Sequence, residues 1–86
     1  MRFVRVVQRE DWEVELVDER QVISYPDRAQ AMRRAMAARP DWIELGEVVE
    51  AAGDAPRHHS WRMLHRGPEG SYRASPLAWG DRHLGP

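Results

Sequence analysis

The chain has 86 residues, no cysteine, and 13 basic residues, all arginine, against 14 acidic ones for a net charge of -1. That length predicts one domain burying only a little over roughly 60% of its unfolded surface, which leaves little room for a deep substrate cavity, and the missing thiols exclude disulfide staples and thiolate metal sites. Near-neutrality removes the electrostatic footprint of a general nucleic-acid binder, and no apolar run is long enough to span a membrane.

The start, Met1-Arg2-Phe3-Val4-Arg5, moves straight into alternation rather than into a signal-peptide core, so an unprocessed cytoplasmic protein is expected. Arginine in place of lysine suits forked recognition of phosphate or carboxylate, but it equally follows from GC-rich codon usage and is not counted as a sign of nucleic-acid binding. The charge is uneven. Residues 1–50 carry net -3, residues 51–86 carry net +2, and all four histidines lie in the second part.

The first two segments fit a hairpin in which paired residue numbers sum to 20. Val4 then faces Leu16, Val6 faces Val14, Arg5 faces Glu15 and Phe3 faces Val17, so one register satisfies burial and charge together. The loop is Arg9-Glu10-Asp11, with Asp11 expected in the left-handed region and Gln8 and Trp12 closing the ladder. A third strand, Gln21 to Tyr25, follows a tight turn at Asp18-Glu19-Arg20, with Ile23 expected opposite Leu16 and Tyr25 opposite Val14. The turn lacks a Gly or Asn, so the alternative that Val22 faces inward stays open.

The one clear helix runs from Arg28 to Arg39. Asp27 caps it, Gln30 stands where a capping box wants it, and Pro40 closes it. A 3.6-residue period gathers Ala29, Met32, Ala35 and Met36 on the inner face with Ala31 at its margin. Asp41 to Val49 then alternates as a strand, Ile43 and Leu45 inward and Glu44 outward. Gly46 breaks the rhythm and marks a bulge or a close backbone approach.

Glu50 to His59 reads as the most mobile internal loop. Beyond it, Gly67-Pro68-Glu69-Gly70 predicts a second hairpin, with His65 opposite Tyr72 and Met63 opposite Ala74. One face would carry Trp61, Met63, His65, Tyr72 and Ala74, the other Arg62, Leu64, Arg66 and Arg73. Three guanidinium groups beside the Arg57-His58-His59 loop could hold phosphates or acidic side chains. The competing account pairs Arg62, Arg66 and Arg73 with Glu44, Glu47 and Glu50 on an ordinary solvated face.

His58, His59, His65 and His83, with Asp54, lack metal-ligand spacing, and Ser24, Ser60, Ser71 and Ser75 stand in no nucleophile motif. Leu77 and Trp79 are expected to fold back onto the domain while the chain beyond Gly80 frays, or else Trp79 anchors into a partner. Three strands and a helix, with Trp12-Glu13-Val14 in the middle strand and Tyr25-Pro26-Asp27 leading into the helix, resemble the small DNA-binding domains of certain plant transcription factors and integrase arms. Those domains read DNA with the exposed sheet face, where this chain has Glu13 and Glu15 beside Arg5; the resemblance spans less than half the chain, and no family is assigned on it.

The sequence therefore predicts an α+β domain over residues 1–80 with a tail at 81–86. Its antiparallel sheet has five to six short strands, in the order β-β-β-α-β-β-β, covered on one face by a single helix. No motif names an activity, and no catalytic residue, metal or cofactor is expected. The expected function is a non-enzymatic interaction or regulatory module that binds a protein partner or its own copy through the second hairpin and a sheet edge, using Arg57, His58, His59, Trp61, Arg62, Arg66, Tyr72, Arg73 and Trp79. The alternative is a nucleic-acid binder using Arg57, Arg62, Arg66 and Arg73 with Trp61 or Tyr72 for stacking. A small hydrolase or isomerase centred on His58 or His59 ranks third and requires an enclosed cleft.

Overall fold

The computed structural model describes residues 2–50, 53 and 55–75. Its elements are β1 (Phe3–Gln8), β2 (Trp12–Leu16), a 3-10 turn (Val17–Glu19), β3 (Gln21–Tyr25), α1 (Arg28–Ala37), β4 (Trp42–Val49), β5 (Arg57–Arg66) and β6 (Tyr72–Ala74). They form a six-stranded sheet in the order β3-β2-β1-β4-β5-β6 with α1 on one face, so the α+β class and the element order stand. The sheet is mixed rather than purely antiparallel, because β4 runs parallel to β1. The cause is the helix, which carries the chain across the sheet and delivers β4 alongside β1 in the same direction.

The β1–β2 register is the one whose numbers sum to 20, from Val4 opposite Leu16 to Gln8 opposite Trp12. Val17 does not extend it, having left the ladder for the 3-10 turn. Asp11 is not left-handed; among the described residues the non-glycine positions with positive φ are Arg20 and Arg39. Arg20, at φ 53°, ends the 3-10 turn, so the β2–β3 connection takes four residues and places Ile23 opposite Val14 and Tyr25 opposite Trp12. That is a slip of two from the expected register. An even slip leaves each side chain on its own face, and Val22 points outward, 59% exposed.

Asp27 caps α1, accepting from the Gln30 amide at 2.9 Å while the Gln30 side chain donates to its second oxygen at 2.9 Å. The helix ends at Ala37, two residues short of the expected Arg39, and Arg39 takes a left-handed conformation before Pro40. Its inner face is rotated from the periodicity reading. Ala31 and Ala35 are fully buried with Met32 and Ala38 half-buried beside them, while Ala29 and Met36 are exposed. Two alanines bring the helix axis closer to the sheet than methionines would, and the methionines are left on its flank.

The core joins Val4, Val6, Val14, Leu16, Ile43 and Leu45 of the sheet to those alanines. A helix about 10 Å wide spans only about two strands at their roughly 4.8 Å spacing, and α1 lies chiefly over β2 with β1 and β3 beside it. Among the described residues, therefore, no helix lies over the β4–β5–β6 half of the same face or over the opposite face.

At Gly46 both sequence readings hold. The β4–β5 register shifts between Leu45 and Gly46, leaving Trp61 as an extra residue in β5, and a Cβ on Gly46 would lie 2.5 Å from the His59 carbonyl oxygen. Two later expectations fail. Arg57, His58 and His59 belong to β5 rather than to a loop, and β6 pairs with Arg66 opposite Tyr72, His65 opposite Arg73 and Leu64 opposite Ala74. The slip is one residue, because the Gly67 amide donates to the Ser71 carbonyl and encloses a five-residue loop. An odd slip exchanges the faces of β6.

Candidate functional site

That exchange dismantles the expected three-arginine face. Arg62 and Arg66 lie on the helix side of the sheet, with Tyr72 and Ala74, whereas Arg73 lies on the other side with Met63 and His65. Arg66 and Arg73 do meet carboxylates, though different ones from those expected. Arg66 reaches Asp41 at 3.2 Å and donates to the Arg39 carbonyl at 2.9 Å, and Arg73 pairs with Glu69. Glu44 is instead taken by Arg5 and His58, and Glu47 by Trp61 and His59.

His58 and His59 point to opposite faces of β5. On the open face, Glu44 Oε1 stands 2.9 Å from both His58 Nε2 and Arg5 Nε, and Glu15 is 3.8 Å from the same guanidinium. Arg5 Nε lies outside hydrogen-bonding alignment, so that contact is an ion pair rather than a directed bond. Such half-exposed pairs contribute little to stability. The nearby Ser60 is 5% exposed and its hydroxyl has no partner among the described residues, so it is not presented to solvent as a nucleophile would be. Fewer than three potential metal ligands gather at any point among the described residues.

On the helix side the bulge brings out a different arrangement. Trp61 packs against the core beside Trp12, ring centroids 6.0 Å apart and nearly edge-to-face, and its indole N–H donates to Glu47 at 2.8 Å. Arg28 lies over the other side of this pair, its guanidinium 5.9 Å from the Trp12 ring. Between the flank of α1 and the uncovered strands runs a groove of about 430 Å³ lined by Arg28, Met32, Leu45, Trp61, Arg62 and Leu64. Its floor is apolar and two guanidinium groups stand at its rim.

The expected site residues thus separate. Trp61 and Arg62 meet in the groove; Arg66 and Tyr72 brace the helix C-terminus, where the Tyr72 hydroxyl donates to the Pro40 carbonyl at 2.6 Å and burial pushes its pKa up. Arg57 is exposed at the start of β5 opposite Val49, and Trp79 lies outside the described residues, as do the tail 81–86 and part of the expected loop. Sequence reasoning missed Arg28, Met32, Leu45 and Leu64. Arg28 stands at i, i+4 to Met32, but reading Met32 as part of the core stripe with Ala29, Ala35 and Met36 hid the flank the two share.

A second depression, of about 400 Å³, lies at the β1–β2 loop among Arg9, Glu10, Asp11, Glu13, Val48 and Glu50. Among the described residues no helix is long and apolar enough to cross a membrane. The chain matches no family model, no curated protein and no solved structure.

Proposed function

We propose that this chain is a non-enzymatic interaction module of the cytosol that receives a segment of a protein partner in the groove between α1 and β4–β5. The observation that carries the reading is the groove's composition: Met32, Leu45, Trp61 and Leu64 line an apolar trough, and Arg28 and Arg62 flank it. Its volume suits a few side chains rather than a whole domain, and tryptophan and arginine are the residue types that dominate binding hot spots. The segment that fits is apolar with an acidic residue beside it. The indole of Trp61 is already oriented by Glu47, so little ordering cost falls on binding.

Selection from a random peptide library tests this. Enriched peptides should combine aliphatic or aromatic residues with Asp or Glu, and Arg62→Glu should weaken their affinity at least about tenfold without lowering the melting temperature. Failure to enrich any such peptide removes the proposal. Nucleic-acid binding is the second reading, and the separation of Arg73 from Arg62 and Arg66 counts against it. Oligonucleotide retention that falls steeply with salt would restore it.

A further inference from the structure

The two edges of the sheet are unequal, and among the described residues the β3 edge lacks the charge, proline or bulge that usually protects one. At the far end, three-residue β6 with Arg73 pairs only Leu64–Arg66 of β5, and the rest of β5 carries Arg57, Arg62 and the bulge at Trp61, so charge and irregularity blunt that border. The β3 edge has five residues, Gln21-Val22-Ile23-Ser24-Tyr25, with no charge, no proline and no bulge in its pairing to β2. Alternate residues of an edge strand direct their amides and carbonyls outward, and proteins that must stay monomeric blunt such edges with charges, proline or a kink. Here the edge also holds Val22, which at 59% is the most exposed large hydrophobic residue among those described.

We propose that β3 is a self-association edge, pairing antiparallel with β3 of a second copy about a two-fold axis at Ile23 and making one continuous twelve-stranded sheet. The edge is self-complementary. Gln21 falls opposite Tyr25 of the second copy and Val22 opposite Ser24, so no like charges meet and each Val22 is covered across the junction. The helices do not obstruct it. Each α1 lies chiefly over β2, and three strand spacings separate the two β2 strands, about 14 Å against the roughly 8–10 Å at which packed helices touch. A second copy is favoured over a foreign peptide because the match is symmetric and requires no further sequence. Five-residue strands bury less than the roughly 1,000 Å² of a stable interface, so the dimer is weak and concentration-dependent.

Sedimentation of the full chain from about 10 μM to about 1 mM, together with amide chemical shifts on dilution, provides the test. Mass should rise toward twice 10.0 kDa, with the shifts concentrated in residues 21–25. The double substitution Val22→Lys with Ser24→Lys, at two exposed positions, should stay monomeric throughout with an unchanged dilute melting temperature. Arg62→Glu, in the separate groove, should dimerise as the parent does, so failure of the groove reading leaves this result intact. A monomer at about 1 mM overturns the proposal, as does a dimer that survives both lysines or whose dilution shifts fall on β6. Should the lysine variant not fold, the dilution shifts of the parent chain decide alone.

Discussion

Gly46 is where one absent side chain decides most. A β-carbon there would press on the His59 backbone, which belongs to the sheet and cannot swing aside. Gly46→Ala should therefore destabilise by about 1–3 kcal/mol in a denaturant melt. Tyr72 offers a test by pH: burial raises its pKa, so the fold favours the protonated phenol. Its contribution is whole below the ordinary value of 10.0 and is lost as the pH rises beyond it. Tyr72→Phe should remove that alkaline loss and, by deleting the bond to the Pro40 carbonyl, cost about 1 kcal/mol near neutrality. Asp27 has the opposite sign. The Gln30 amide, then its side chain, hold the Asp27 carboxylate below its usual range, so the cap is intact at neutral pH and weakens as acid titrates it. Asp27→Ala should lower the melting temperature by several degrees at pH 7 and less at pH 3.

Among the elements, α1 separates what the residues disclose from what they conceal. Its start was legible because Asp27 and Gln30 meet within one turn, and a local hydrogen bond needs no knowledge of the rest of the fold. Its facing was not. Ala29 and Met36 fit the 3.6-residue period as well as Ala31 does, and the choice between them rests on how closely the helix approaches the sheet. Met36→Gln should accordingly leave stability within about 0.5 kcal/mol, while Ile43→Ala, in the buried core on β4, should cost about 2–5 kcal/mol in the same chemical denaturation series. The hairpins divide in a similar way. The β1–β2 register was readable because apolar pairs and the Arg5–Glu15 pair agree on it, whereas the β5–β6 register depended on whether the loop held five residues, which Gly67 and Ser71 settle through their backbones. The groove was hidden for a related reason: Arg28 and Met32 come from one element and Leu45, Trp61 and Leu64 from two others, joined by a bulge that only Gly46 announced.

At the scale of the whole molecule, the described residues place one helix on a six-stranded sheet, which leaves more sheet than it covers, and the groove beside α1 is a result of that shortage. The parallel pairing of β1 with β4 has a further outcome, in time rather than space. On a translating ribosome the N-terminal meander and α1 emerge first and can close by local contacts, yet β1 keeps one side vacant until Trp42 to Val49 has cleared the exit tunnel. The middle of the finished sheet is thus, for much of synthesis, an open border of the nascent chain.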